Sequence, residues 1–297
     1  MLVSRLAAAM IVLFASAAAC ASGDKSFERQ VPAAARGAVD VSNVSGTVVV
    51  TGWDRPEVSV RAELDEGVER VDVSTDHGRT SIKVILPPHS GHGGDADLHV
   101  QVPKDSELTV SAVSADVTTA GVTGVQRLNA VSGNVTAELA GSDLELKTVS
   151  GDVKLKGHGQ PARLHMSTVS GDVHLEHGAG DLEAGTVSGT LVVSLDSARS
   201  VRTRTTSGDV HFEGKLAPGA DFDATSVSGD LNVRASAEGG YAYEISTFSG
   251  DISNCFNATP SEHGHMSGHT LQGTRGDGAG HVRLKTMSGD VQLCDRK

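Results

Sequence analysis

One short motif recurs along this chain at almost constant spacing, and it limits the possible folds more than any other feature. It runs as Ala112-Val113-Ser114-Ala115-Asp116-Val117, then Val131-Ser132-Gly133-Asn134-Val135, Val149-Ser150-Gly151-Asp152-Val153, Val169-Ser170-Gly171-Asp172-Val173 and Val187-Ser188-Gly189-Thr190-Leu191. It continues as Thr206-Ser207-Gly208-Asp209-Val210, Val227-Ser228-Gly229-Asp230-Leu231, Phe248-Ser249-Gly250-Asp251-Ile252, a degenerate Met266-Ser267-Gly268-His269, and Met287-Ser288-Gly289-Asp290-Val291. Successive serines lie 18 to 21 residues apart. A fixed period of this length, with a glycine-centred corner in each copy, is the mark of a solenoid in which every repeat supplies one coil.

The pattern inside each repeat tells which kind of coil. Leu144, Leu146 and Thr148 alternate with Glu145 and Lys147 before the corner, and Val153 and Leu155 alternate with Lys154 and Lys156 after it. Alternation on both sides means two strands per coil, each with one face buried. Val149 breaks the parity just before the Ser-Gly pair, so the chain must bulge or turn there. Glycine supplies a tight corner without a steric penalty, and the short Ser and Asp side chains can hydrogen-bond nearby backbone and hold it. The expected fold is therefore all-β, a single-stranded β-helix of 18 to 21 residues per coil occupying residues 111–297. With coils ~4.8 Å apart, ten in chain order make a rod on the order of 45 Å long.

The preceding stretch, 39–110, has alternating runs joined by Trp53-Asp54-Arg55-Pro56, Asp76-His77-Gly78-Arg79 and Pro103-Lys104-Asp105, with a single motif copy, Val44-Ser45-Gly46. Its turn chemistry is that of hairpins, and we expect an irregular β layer containing Trp53 and Asp54 that caps the first coil and covers its pairing edge.

The N-terminus couples Arg5 to an apolar run from Leu6 to Ala19, too short to span a bilayer and suited to a secretory leader over residues 1–19. Ala17-Ala18-Ala19-Cys20 resembles a lipoprotein box, so lipidation of Cys20 is the leading expectation; ordinary cleavage after Ala21 is the alternative. Residues 20–38 would then form a tether. Cys255 and Cys294 remain as an even pair in an exported chain and are expected to form a disulfide fastening the last coils.

With 25 Lys plus Arg against 37 Asp plus Glu, a net charge of −12 and no basic cluster, the chain is unsuited to nucleic acid. The motif aspartates Asp116, Asp152, Asp172, Asp209, Asp230, Asp251 and Asp290 would stack and could attract a cation; the expectation is that each instead caps its own turn. His89, His92 and His99 near Asp95 and Asp97, and His263, His265 and His269 in a Gly-rich segment, lack the spacing of a metal centre, and no metal or cofactor is expected. Arg275-Gly276-Asp277 is explained as a turn. Only Trp53, Tyr241 and Tyr243 could stack on a sugar ring, no nucleophile elbow or phosphate loop is present, and no catalytic residue is assigned.

These features resemble a bacterial family of β-strand-repeat proteins of unknown function often labelled as candidate adhesins. The matching residues are the Val-Ser-Gly-Asp-Val series from Val113 to Leu293, Val44-Ser45-Gly46-Thr47-Val48, Gly52-Trp53-Asp54, Leu98-His99-Val100-Gln101-Val102-Pro103, and Gly276-Asp277-Gly278 ahead of Lys285-Thr286-Met287-Ser288-Gly289. The resemblance covers Val39 to the end and implies an exported β-helical domain without implying an activity. The expected function is that of a non-enzymatic cell-envelope protein, an adhesin or interaction scaffold. Its partner would be an envelope protein or glycan, with membrane contact through lipidated Cys20. It would face the outer membrane or periplasm as a lipoprotein, or else be periplasmic or secreted. The alternatives are a polysaccharide-acting enzyme, with acids clustered beside Tyr241 and Tyr243, and a scaffold assembling by end-to-end coil stacking.

Overall fold

In each repeat the inward residues meet at one core. Leu144, Leu146, Val153 and Leu155 are fully buried, and so are their counterparts Leu164, Met166, Val173 and Leu175. The computed structural model describes residues 25–87, 94–256, 258–262 and 268–296, and among them there are strands and turns but no helix. Leu144–Ser150 pairs in parallel with Ala162–Ser170 on one side and Gln126–Ser132 on the other. Val153–Gly157 pairs in parallel with the strand starting at Val173 and with Val135–Leu139. Motif serines face motif serines throughout: Ser132, Ser150, Ser170, Ser188, Ser207 and Ser228 form one unbroken register. The arrangement is β-solenoid-like, with two strands per coil as the alternation requires.

The corner between the two strands is held differently from the expectation. In three central coils the buried threonine two residues before the serine donates its hydroxyl to the corner carbonyl, Thr148 to Ser150 (3.4 Å), Thr168 to Ser170 (3.3 Å) and Thr186 to Ser188 (3.2 Å). The hydroxyl of Ser150 has no hydrogen-bond partner among the described residues and faces solvent. Gly151 sits at φ 121°, and a Cβ there would overlap the carbonyl of Gly133 in the adjacent coil. Glycine is needed at that corner for its positive φ and for this close approach.

The chain order of the coils is not their spatial order at the C-terminal end. Ser228 pairs with Ser288, and Ser288 with Ser249. After the corner, Leu231 pairs with Val291 and Val291 with Ile252. The last coil of the chain is thus inserted between the two that precede it, which corrects the expectation of sequential stacking. Ser267 lies outside the described residues. The strand that follows it, His269–Gly276, runs antiparallel along Gly240–Ser249 and covers its edge, so it continues no parallel coil.

The N-terminal layer also departs from a simple cap. Ala38–Trp53 runs in parallel register with Glu107–Ala120, Ser45 facing Ser114, and is itself a coil. Capping falls to two sets of strands outside it. Ala96–Pro103 pairs with its second half and carries Glu57–Leu64 antiparallel. Arg79–Ile85 pairs with its first half and forms a hairpin with Arg70–Asp76. Lys25–Pro32, expected to belong to a tether spanning residues 20–38, is a strand paired antiparallel with Glu57–Leu64. The ladder therefore has ten rungs, at Ser45, Ser114, Ser132, Ser150, Ser170, Ser188, Ser207, Ser228, Ser288 and Ser249.

Candidate interaction surface

The residue that breaks the alternation, one before each motif serine, points into solvent. Val113, Val131, Val149, Val169, Val187 and Val227 are 46–50% exposed, Val44 is 37%, and Phe248 and Met287 reach 56% and 60%. Thr206 fills the one remaining rung and is also exposed. Because the motif serines are in register, these side chains form a continuous apolar ridge along one corner of the rod, ending in Met287 and Phe248. In the sequence the parity break at Val149 marks only a bulge or turn. Its meaning as a surface depends on stacking, which brings residues 18 to 69 positions apart into one line.

Two rows of different charge flank this ridge. Two residues before it comes the outward row containing Lys147, Arg204 and Lys285, whose other members are Ser, Asn, Gly or Thr. Lys147 Nζ lies 2.6 Å from Glu145, Arg204 lies 3.5 Å from Glu183, and Lys285 has no ion-pair partner among the described residues. The lysine holds the Glu145 carboxyl below its ordinary range by a hydrogen bond and by its charge. Where the small members of this row meet the ridge, a cavity of about 420 Å³ opens among Val44, Val113, Val131 and Val149, with Lys83 and Lys147 in its lining.

The other flank is the aspartate ladder. Six of the seven carboxylates accept a hydrogen bond from the backbone N–H at the same position of the adjacent coil: Asp116 from Asn134 (2.7 Å), Asp152 from Asp172 (3.2 Å), Asp172 from Thr190 (2.8 Å), Asp209 from Asp230 (2.9 Å), Asp230 from Asp290 (2.8 Å) and Asp290 from Asp251 (2.8 Å). Asn134 does the same for Asp152 (3.1 Å). The expected capping of the residue's own turn is thus replaced by capping of the next coil. This job accounts for those six acids without a cation, since an N–H donor offsets part of the repulsion between stacked carboxylates.

The other candidates scatter. Tyr241 and Tyr243 are only 2% and 8% exposed, so neither can serve as a sugar platform. Burial, with Asp295 alongside, drives the Tyr241 phenol far above its ordinary range. Its hydroxyl meets Asp295 at 3.3 Å, and Asp295 also pairs with Arg275. Arg275 lies 4.3 Å above the Phe256 ring, and Asp277 accepts from the Ala279 N–H (3.0 Å), so Arg275-Gly276-Asp277 is tied into the end of the rod. Trp53 donates to the Glu57 carbonyl (2.9 Å) under the Arg55 guanidinium, and Asp54 pairs with Lys104 (2.6 Å). Asp95 and Asp97 accept from Ser45 (2.5 Å) and Thr47 (2.7 Å), while His99 is exposed beside them. His269 opens the antiparallel edge strand opposite Thr247. Cys20, His89, His92, His263 and His265 lie outside the described residues. Among the described residues no group of three or more His, Cys, Asp or Glu side chains is placed to hold a metal.

Cys255 and Cys294 are joined in a disulfide, with Cα atoms 4.9 Å apart. It links the end of the Ser249 coil to the inserted Ser288 coil beside it.

No curated protein matches the chain. Among solved structures it is similar to a candidate lipid-binding protein from Parabacteroides distasonis ATCC 8503, at 11% identity over 92% of this chain and 97% of that one, with a TM-score of 0.45. It is also similar to a candidate adhesin from Parabacteroides merdae ATCC 43184, at 10% identity over 92% and 97% with a TM-score of 0.38. Likenesses this distant assign no role to any residue. A family model described as Toastrack DUF4097 matches residues 37–294.

Proposed function

This chain belongs to the Toastrack DUF4097 family over residues 37–294, and from that premise we propose that it is a non-enzymatic, exported cell-envelope protein. It works by presenting the long flank of a single-stranded β-helix for adhesion or scaffolding. Its partner is an envelope protein or glycan. The tether is the stretch before Lys25, held by lipidated Cys20, and the capping strands stand between this anchor and the coils. Export is supported by the Arg5 to Ala19 leader and by the Cys255–Cys294 disulfide, a bond that persists in oxidising compartments.

The observation that carries this reading is the ridge. A solvent-facing corner position tolerates a polar residue, as Thr206 demonstrates, yet nine of ten rungs are apolar. A contiguous apolar strip on a rod this acidic marks an interaction surface.

Two measurements test the proposal. Intact mass of the chain from membrane and soluble fractions should show a diacylglyceryl-sized increment that disappears in Cys20→Ser; an unmodified chain confined to the soluble fraction removes the anchor. The double variant Val149→Asp, Val169→Asp should lower binding of the purified chain to isolated envelope fractions at least tenfold, and unchanged binding refutes the ridge as the interaction surface.

A further inference from the structure

We propose that the ridge is the interface of a parallel homodimer, two copies related by a twofold axis that runs along the rod. This deepens the reading of the ridge as an interaction surface by naming its occupant.

Area is the first argument. Ten rungs at ~4.8 Å, with both flanking rows included, give a strip about 45 Å long and on the order of 15 Å wide, or roughly 700 Å² per copy. Stable specific interfaces bury about 800 Å² per partner, so one such strip against another is close to a standard interface. Rung spacing also matches by construction, because both ridges are set by the same strand separation. Each Val then meets its own counterpart on the facing ridge, rung against rung, along its whole length.

Charge then selects the orientation. The ridge has cations on one flank, Lys147, Arg204 and Lys285, and the motif aspartates on the other. Two ridges can face each other with their rods parallel or antiparallel. A twofold axis perpendicular to the rod makes them antiparallel and lays cations on cations and aspartates on aspartates. An axis along the rod makes them parallel, inverts the flanks, and lays each cationic row on the partner's acidic row. At zero shift Lys147 meets the partner's Asp152, Arg204 the partner's Asp209, and Lys285 the partner's Asp290, each pair occurring twice. None of the three cations falls opposite the three rungs where the acid is replaced, Thr47, Asn134 and Thr190. Thr206 faces its own symmetry mate, so the single polar rung finds a hydroxyl partner in this register. The capping layers of both copies lie at the same end, which lets both chains leave toward one surface.

The test uses the full chain in a Cys20→Ser background. Sedimentation velocity at low-micromolar concentration should give twice the chain mass, and Val149→Asp with Val169→Asp should raise the dissociation constant at least a hundredfold while leaving the thermal midpoint of each rod unchanged. Val131→Cys should cross-link to itself through a short thiol reagent. In the antiparallel arrangement the two copies of residue 131 would stand about five coils, or ~24 Å, apart and would not link. A monomer at these concentrations, or a dimer in which Val131→Cys fails to cross-link, overturns the proposal. A monomer whose envelope binding is still lost in the double aspartate variant overturns the dimer alone and leaves the ridge as a surface for another partner.

Discussion

The middle of the rod and its C-terminal end are built from the same repeat and stacked by different rules. Between Ser132 and Ser207 every coil lies against its neighbours in sequence, with contacts between residues 18 to 20 positions apart. At the far end Asp290 bonds to Asp230 across 60 positions and to Asp251 across 39. The inward side chains are interchangeable: Val282, Leu284, Val291 and Leu293 bury as completely as Leu144, Leu146, Val153 and Leu155. Burial therefore favours stacking without choosing the order. The outward residues choose it. Arg283 stands between Asp223 (4.0 Å) and Glu244 (3.2 Å), two acids that sequential stacking would place side by side. The Cys255–Cys294 bond then closes the arrangement covalently.

Removing that bond should separate the two regions most. Cys255→Ser with Cys294→Ser is expected to destabilise the C-terminal coils by about 4 kcal/mol, the chain-entropy value for a loop of this length. Hydrogen exchange should accelerate between residues 231 and 296 and stay unchanged around Leu146. Equal acceleration in both would mean that the rod unfolds as one unit.

A corner substitution attacks the middle instead. Gly151→Val forces a β-branched residue into positive φ and against the Gly133 carbonyl, at about 3 kcal/mol or more. Gly268→Val, just ahead of the antiparallel edge strand, meets only ordinary contacts and should shift the thermal midpoint by less than a degree or two, since surface changes stay within about 0.5 kcal/mol. Equal losses at the two sites would refute the idea that the close approach at Gly151 is what makes its glycine necessary.

Charge reversal at the insertion should have a smaller effect. Arg283→Glu leaves three acids in a row where one cation bridged two, for a loss of about 1 kcal/mol after solvent screening, and the loss should shrink in high salt. The smallest difference is in the middle stack. Arg199, through its hydrogen bond, holds the Asp181 carboxyl below its ordinary 3.8. Because the folded value is depressed, the contribution is present above the unfolded value and disappears as pH falls through the folded one. The midpoint difference between wild type and Arg199→Gln should therefore be seen at neutral pH and vanish in strong acid.

Much of this fold was legible in the alternation of Leu144 to Leu155 and in the spacing of the serines, because strand formation and corner placement are decided within one coil. The paired cysteines were legible as well. The candidate surface was legible only in part. Val149 broke the parity in plain view, but a ridge exists only once Val131, Val149 and Val169 are stacked. The partner of the motif aspartates was not legible, since a side chain that caps its own turn and one that caps the coil beside it leave the same trace in a sequence.

By itself, then, the sequence determined the repeat unit: two strands, a corner glycine between them, and a break in the alternation just before it. Tertiary structure decided how the units are ordered, that the Ser45 copy is a coil within the N-terminal layer, and that His269–Gly276 is an antiparallel edge strand. The physical reason is that every coil offers its neighbour nearly the same pattern of N–H, C=O and buried Leu or Val. Adjacency is therefore degenerate in the local pattern, and it is resolved only by charges and a disulfide that meet after folding.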